Sequence, residues 1–308
     1  MTKSLNLGID NFISNADINK DQTTRLLELA IALKKKELEI NLKNKVLGLI
    51  FDKPSTRTRV SFHIAMSRLG GTTLDLDPNT SQIGRGEPIK DTARVLSRYC
   101  DAIAIRTFKQ SDLEEYIHWS TIPIINALTD LEHPCQSIAD FMTIKEEFGS
   151  LNGVVLTFVG DSNNVSNSLI LCGSILDVEV RIACPKGFEP EKSIIEKANK
   201  LNDKNLIKIT NDPMEAVSGA NVLYTDVWSS MGEESHKVEK DKHFEGYTID
   251  EKLVENSSAE SIIMHCLPAY RGKEITNSVF ESNKNRIFNQ AENRMHSQQA
   301  LLAALLSK

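Results

Sequence analysis

The chain has 308 residues, of which 40% are hydrophobic and 6% aromatic, and its formal charge at pH 7 is −6. This length fits one large domain or two of ordinary size, and the acidic balance with few aromatic side chains disfavours a nucleic-acid partner. Residues 1–25 contain no continuous apolar run and no stretch of about 18 apolar residues occurs anywhere, so we expect neither an export signal nor a membrane partner.

Short apolar runs alternate with amphipathic segments along the chain. The runs are apolar at both alternating positions, which is typical of strands covered on both faces of a parallel sheet. The predicted strands are 46–51, 72–76, 102–106, 122–126, 154–160, 179–184, 206–209, 221–224 and 261–265. The predicted helices are 22–36, 59–69, 112–119, 134–148, 165–176, 191–201 and 291–306.

This alternation predicts an α/β fold with two domains, each with a mainly parallel central sheet flanked by helices. The turn residues of 149–153, GSLNG, follow a predicted helix and indicate a boundary. We therefore predict a first domain at 1–148 and a second at 149–290, with a C-terminal helix at 291–308 packed back on the first. Because ligands bind beyond the carboxyl ends of strands in open α/β sheets, we expect an active site in the interdomain cleft.

The five cysteines are widely spaced and form no CxxC pair, which predicts a reduced, cytoplasmic protein without a disulfide framework. The turn after the fifth predicted strand lacks GxGxxG, and no GxxxxGK[ST] or HExxH pattern occurs. These patterns mark dinucleotide, phosphate-loop nucleotide and zinc sites. We therefore predict no metal and no other cofactor.

A concentration of hydrogen-bond donors follows the first predicted strand, at Ser55, Thr56, Arg57 and Thr58. Helix N-terminal N–H groups favour an anion, and hydroxyl and guanidinium donors match the geometry of a phosphate. The alternative is a capped helix with surface arginines, but capping requires only one hydroxyl. The stretch therefore predicts phosphate binding.

Two further polar groups end or follow neighbouring predicted strands. Arg106 ends the third, and His133 opens the segment HPCQ after the fourth. His133 and Gln136 on their own fit a helix cap equally well. An arginine and an imidazole beside a bound phosphate are suited to polarise a carbonyl or to hold an oxyanion, which favours a catalytic role for Arg106 and His133.

The second half of the chain offers groups suited to the ammonium and carboxylate of an amino acid. These are Asn164, Asp226, Ser230 and Met231. For Asn164 the alternative is ordinary turn chemistry. Cys266 ends the last predicted strand and adjoins His265, but neighbours on a strand point to opposite faces, so the two do not form a nucleophilic dyad. A small core residue is the alternative for Cys266, which we nevertheless place in the site.

Four motifs, STRTR, HPCQ, DxxxSMG and HCLPAYRG, occur in this order. Together they resemble the aspartate/ornithine carbamoyltransferase superfamily, over residues 46 to the C-terminal ENRMHSQQALL. The resemblance implies transfer of the carbamoyl group of carbamoyl phosphate to the δ-amine of ornithine, giving citrulline and phosphate in arginine metabolism, with arginine biosynthesis and arginine breakdown both left open. It also implies a homotrimer or a multiple of trimers, without a cofactor.

The resemblance also implies roles for individual residues. Carbamoyl phosphate is expected to contact Ser55, Thr56, Arg57, Thr58, Gln82, Arg106, His133, Gln136, Cys266, Leu267 and Arg294. Ornithine is expected to contact Asn164, Asp226, Ser230 and Met231. The catalytic residues are expected to be Arg106, His133, Asp226 and Cys266. Gln82 matches a residue that the family contributes to a neighbouring subunit's site.

Some alternatives remain open. The acceptor could instead be putrescine, N-acetylornithine or aspartate, and a rival of another class is a two-domain solute-binding protein that traps a phosphate compound without turnover. Arg59 lies further into its helix than Arg57, which predicts a structural ion pair. His63 stands where relatives commonly carry Glu, so we expect changed supporting contacts and unchanged activity.

Overall fold

The structure, a computed structural model, describes residues 7–53, 55–77, 82–229 and 237–307, and for 237–239 it describes the backbone alone. The chain divides into two compact units. One comprises Met1–Met142 with Asn293–Lys308, and the other comprises Thr143–Glu292. The predicted domain limits at 148 and 290 stay a prediction. Both boundaries between the two compact units fall inside helices.

The first unit is built on a four-stranded parallel sheet. Its strands are β1 (Val46–Phe51), β2 (Thr72–Leu76), β3 (Ala102–Arg106) and β4 (Ile124–Leu128), in the order β2-β1-β3-β4. Its helices are α1 (Lys20–Lys34), α2 (Arg57–Arg68), α3 (Ile89–Leu96), α4 (Gln110–Trp119) and the start of α5 (Pro134–Phe148). Strand β3 is buried throughout, as its continuous apolar sequence predicts.

The second unit has a five-stranded parallel sheet in the order β7-β6-β5-β8-β9. Its strands are β5 (Val155–Val159), β6 (Glu179–Ala183), β7 (Ile207–Thr210), β8 (Val222–Thr225) and β9 (Ile262–His265). Its helices are α6 (Asn164–Ile175), α7 (Lys192–Leu201), α8 (Pro213–Val217), α9 (Lys237–His243), α10 (Glu251–Glu255) and most of α11 (Asn277–Leu306). The strand order reverses between β5 and β8, which is where open α/β sheets form their ligand crevice.

The predicted α/β class with two parallel-sheet domains is confirmed. Strands β1, β2 and β3 have the predicted limits. Strand β4 begins two residues later than predicted, because Pro123 has no N–H to donate and contributes only its carbonyl, which accepts from the N–H of Ile103 at 2.9 Å. The short helices α3, α8, α9 and α10 were missed because each holds only a turn or two of periodic sequence.

The predicted start of the C-terminal helix at 291 is wrong, since α11 begins at Asn277. Its first half carries several asparagines, which have low intrinsic helix propensity and hid the periodicity. Burial of Val279, Phe280 and Ile287 stabilises this half instead. Among the helices that the structure describes, none has the length and apolar character needed to cross a bilayer.

Candidate active site

The loop after β1 leads directly into α2, which begins at Arg57, two residues earlier than predicted. Thr56 precedes the helix, and its side chain makes no capping hydrogen bond within the described residues. Thr56 and Arg57 are exposed, and Ser55 is half-buried. The hydroxyl of Thr56 therefore does not serve the helix cap, so the alternative of a simple capped helix does not account for this sequence.

Thr58 connects the first turn of α2 to the far end of the chain. It is buried, and its hydroxyl oxygen accepts a hydrogen bond of 2.6 Å from Nη2 of Arg294, a buried residue of α11. The two residues are 236 positions apart in the sequence. Because its oxygen accepts this bond, the hydroxyl group of Thr58 can still donate its own proton to a further acceptor.

Arg106 stands at the carboxyl end of β3, where Phe51 of β1 is its register partner. Its side chain is only 5% exposed, and its Nε–H makes no hydrogen bond to the part of the chain that the structure describes. Burial, followed by the charges of Arg294 and Arg57, lowers the pKa of Arg106 to about 10. An arginine in such surroundings is suited to bind an anion, because the anion would offset the repulsion among the three guanidinium groups.

His133 lies immediately before α5 and is buried. Burial, and then the positive charges of Arg294, Arg106 and Arg57, hold the pKa of its imidazole well below the ordinary 6.5. The ring is therefore neutral at neutral pH and can donate one hydrogen bond without adding a fourth positive charge. Such a neutral donor suits a carbonyl oxygen, while the guanidinium groups suit a phosphate.

Gln136 lies in the first turn of α5, and its side chain is nearly inaccessible at 1% exposure. Its Nε2 donates to Oδ1 of Asp140 at 2.8 Å, and its Oε1 accepts no hydrogen bond from the described residues. It therefore does not close the capping box that the alternative interpretation of HPCQ required of it. Neighbouring Cys135 donates to the carbonyl of Asn126, and burial raises the pKa of its thiol to about 12, as expected of an inert core residue.

The buried carboxylate of Glu132 holds the segment before His133 in place. It accepts hydrogen bonds from the hydroxyl of Ser14 at 2.6 Å and from the N–H of Asn15 at 3.0 Å. The side-chain amide oxygen of Asn15 in turn accepts from the hydroxyl of Ser137 in α5. These bonds tie the residue before His133 and the start of α5 to residues 14 and 15.

Three further residues singled out in the sequence belong to this unit. Arg59 forms an ion pair with Asp75 of β2, as predicted. His63 contacts the hydroxyl of Thr73 through Nδ1 and lies 3.5 Å from Asp75 through Nε2, so it supports the same edge strand. Gln82 is exposed and directly follows a segment outside the described residues. Its predicted role in a neighbouring subunit stays a prediction.

In the second unit, Asp226 follows β8 and is buried. Its Oδ2 accepts from Nδ2 of Asn163 at 2.9 Å. Its Oδ1 accepts from the N–H of Val227 at 2.8 Å and from the thiol of Cys266 at 2.9 Å. The carboxylate is thus fixed in one orientation, and the structure brings together the predicted residues Asp226 and Cys266.

Asn163 was missed by the sequence reasoning. It caps α6, where its Oδ1 accepts from the N–H groups of Val165 and Ser166, and its remaining amide nitrogen holds Asp226. The signal was present, since an Asn before a helix with Ser three positions later is a capping pattern. Asn164, the predicted ligand, is the half-buried first residue of α6. The predicted ligands Ser230 and Met231 lie outside the described residues.

The turn after β9 presents Cys266 and Leu267 through a buried hydrogen-bond network. Nδ1 of His265 accepts from the N–H of Leu267 at 2.9 Å, so its Nε2 carries the proton and donates to Glu274 at 3.2 Å. The N–H of His265 donates to the side chain of Gln290. Leu267 has a positive φ of 63°, an unfavourable conformation for a branched residue that this network holds in place.

Asp226, His265 and Cys266 have potential metal-ligand atoms within 4.8 Å of one another. The thiol already donates to Asp226, and both imidazole nitrogens are engaged by Leu267 and Glu274. These groups therefore form an internally hydrogen-bonded cluster. Lys240 of α9, which carries no local sequence signal, forms a part-buried 2.7 Å ion pair with Asp161 in the loop after β5.

The depressed pKa of His133 predicts a pH dependence of stability. The unfolded chain binds a proton at this site below about pH 6.5 and the folded chain does not, so the free energy of unfolding should fall as the pH drops below 6.5. The loss should reach about 1.4 kcal/mol per pH unit. Urea unfolding between pH 7.5 and 5 should show this slope reduced in His133→Gln but retained in His118→Gln, which changes an exposed histidine. Equal slopes in wild type and His133→Gln would contradict the assignment.

These features define an α/β enzyme with a buried cationic site at the carboxyl ends of one sheet and a fixed carboxylate at those of the other. A family model for the carbamoyl-P binding domain of aspartate/ornithine carbamoyltransferases matches residues 10–146, and one for the Asp/Orn binding domain matches residues 152–305. The chain belongs to the aspartate/ornithine carbamoyltransferase family.

Relatives and solved structures agree with this family. The ornithine carbamoyltransferase of Prochlorococcus marinus subsp. pastoris is 69% identical, over 99% of this chain and 100% of the relative. The crystal structure of ornithine carbamoyltransferase from Gloeobacter violaceus is 47% identical with a TM-score of 0.87, covering 96% of this chain and 98% of that one. The ornithine carbamoyltransferase of Pyrococcus furiosus is 41% identical with a TM-score of 0.92, and 99% of each chain is covered.

Proposed function

We propose that this chain is an ornithine carbamoyltransferase, which transfers the carbamoyl group of carbamoyl phosphate to the δ-amine of L-ornithine and releases L-citrulline and phosphate. The observation that carries the proposal is the cluster of Arg57, Arg106 and Arg294 around the neutral imidazole of His133. Three cations suit the phosphate dianion, and a neutral donor suits the carbonyl beside it. The relatives that match nearly the whole chain carry the same name.

We propose a direct mechanism. The neutral δ-amine attacks the carbonyl carbon, and Arg106, His133 and the hydroxyl of Thr58 donate to the oxyanion that develops. The bond from the carbonyl carbon to the phosphate oxygen then breaks, and the proton lost by the attacking nitrogen passes to the departing phosphate. Arg57 and the N-terminal N–H groups of α2 stabilise this phosphate as it leaves. Further contacts to carbamoyl phosphate are proposed for Ser55, Thr56, Gln82, Gln136, Cys266, Leu267 and Arg294.

Asp226 is proposed to bind the α-ammonium of ornithine. A carboxylate stabilises the protonated form of a neighbouring amine. If that amine were the nucleophile, the carboxylate would suppress its attack, because only the neutral amine attacks. The α-ammonium needs no such deprotonation, so Asp226 with its partner Cys266 suits that end of the substrate. The other proposed ornithine contacts are Asn164, Ser230 and Met231. The δ-amine is then free to lose its proton and attack.

We further propose a cytoplasmic enzyme of trimers or multiples of trimers, with Gln82 acting in the site of a neighbouring subunit. The exposure of Gln82 supports this, because a residue that completes another subunit's site must be accessible on its own subunit. Light scattering on the purified chain should give a mass of three subunits or a multiple of three. A stable monomer that forms citrulline would contradict the trimer.

The acceptor is tested by supplying carbamoyl phosphate with ornithine, putrescine, N-acetylornithine or aspartate in parallel. We expect citrulline from ornithine, and for the other amines a kcat/KM lower by at least about 10²-fold, since each lacks or alters a group that the site is proposed to bind. Greater turnover with another amine would reassign the acceptor. Binding of carbamoyl phosphate without product from any amine would favour the solute-binding protein.

A further inference from the structure

Gln136 and Asp140 lie one turn apart on α5, and residues four positions apart share a face of a helix. Both side chains are buried, with Asp140 fully inaccessible. The bond between them, from Nε2 of Gln136 to Oδ1 of Asp140, measures 2.8 Å. Asp140 is therefore a buried acid in direct contact with Gln136, a proposed substrate ligand on the same helix face.

The bond fixes which end of the Gln136 amide faces the site. A carboxylate oxygen only accepts hydrogen bonds, so the amide must present its NH₂ to Asp140. The opposite orientation would place two acceptors together and is unfavourable. Oε1 of Gln136 therefore faces away from Asp140, and there it accepts no hydrogen bond from the described residues.

A buried acceptor without a donor is costly, and such atoms in native structures call for an explanation. Gln136 lies within three residues of His133 and follows it into α5, so it belongs to the same end of the sheet as the cationic cluster. The phosphate and carbonyl of carbamoyl phosphate need donors, which the arginines and the imidazole of His133 are proposed to supply. The carbamoyl NH₂ alone needs an acceptor.

We propose that Asp140 is a positioning residue that makes Gln136 an acceptor and thereby selects the NH₂ of carbamoyl phosphate against acyl phosphates that lack it. This inference rests on the proposed function, because it takes carbamoyl phosphate as the ligand of the cationic site. Acetyl phosphate is the discriminating probe, since it keeps the phosphate and the carbonyl and replaces NH₂ by a methyl group.

The test measures the KM of carbamoyl phosphate and the competitive Ki of acetyl phosphate, and compares their ratio among variants. Asp140→Asn replaces an acceptor-only group by an amide that donates or accepts, so Gln136 becomes free to turn its NH₂ towards the site. We expect the preference for carbamoyl phosphate over acetyl phosphate to fall about tenfold. The Kd of inorganic phosphate reports the general effect of the lost charge, because inorganic phosphate does not use this acceptor.

A double variant, Gln136→Glu with Asp140→Asn, provides the rescue. The new amide at position 140 donates to the new carboxylate at 136, whose second oxygen again faces the site as an acceptor, and the preference should return. Asp130→Asn, which changes an exposed acid before HPCQ, is the matched control and should leave the ratio unchanged. Any general effect of the altered charge on phosphate cancels in the ratio.

The outcomes separate this inference from the proposed function. A wild-type chain that neither binds carbamoyl phosphate nor forms citrulline would overturn the proposed function. An active wild type, with Asp140→Asn folded and its ratio unchanged, would overturn the role of Asp140 alone. If Asp140→Asn does not fold, the double variant decides, since a folded double variant without the preference would equally overturn it.

Discussion

Replacing Arg106 by Gln is expected to lower kcat/KM by about 10²–10³-fold while the ligand-free protein keeps or gains thermal stability. The guanidinium is buried among the like charges of Arg294 and Arg57, which together with burial bring its pKa to about 10. Compared with the ordinary pKa of arginine, this lowering corresponds to a free-energy cost of about 3 kcal/mol for keeping the guanidinium charged in the folded chain. Gln removes that cost, although it also removes part of the packing of the longer side chain.

The measurement pairs steady-state kinetics with calorimetry in the absence and presence of inorganic phosphate. Phosphate should raise the Tm of the wild type more than that of Arg106→Gln, because a ligand stabilises only as far as it binds the folded state. Arg98→Gln changes an exposed arginine and should affect neither quantity. A variant that loses several degrees of Tm and retains its activity would show that Arg106 is a structural residue.

The fold could be predicted from the sequence wherever a strand is covered on both faces. The sequence of β3, AIAIR, is apolar up to the arginine that faces the site, and its limits were predicted correctly. The prediction failed where tertiary packing outweighs local preference. The asparagine-rich start of α11 becomes helical because Phe280 and Ile287 are buried, which a local pattern does not reveal.

The candidate site could be predicted only in part, for a similar physical reason. Donors that follow strand ends, such as Arg57 and His133, are visible locally because parallel strands bring their carboxyl ends to one edge. Arg294 has no local signal, and only the family resemblance identified it, since its partner Thr58 lies 236 residues away. The partners that fix proposed ligand groups, Asp140 and Asn163, were missed because each looks like an ordinary helix residue until its contact is seen.

Replacing Asp226 by Asn is expected to lower kcat/KM for ornithine by about 10²–10³-fold, because a buried charged partner of the proposed ammonium is lost. The new amide also places an NH₂ group either against the donor of Asn163 or against the donors of Val227 and Cys266 together. Some loss of stability, about 1–3 kcal/mol, should follow from the donor left unpaired.

The effect on ornithine should be separable from the effect on the donor substrate. The Kd of carbamoyl phosphate for the free enzyme should be unchanged in Asp226→Asn, because the arginines that are proposed to bind it are not altered. Asp203→Asn removes an exposed carboxylate of the same unit and should leave both substrates unaffected. If Asp226→Asn instead weakened carbamoyl phosphate and left the KM of ornithine unchanged, the ammonium would have to bind elsewhere, because a carboxylate that attracts a cation cannot be removed without cost to that cation.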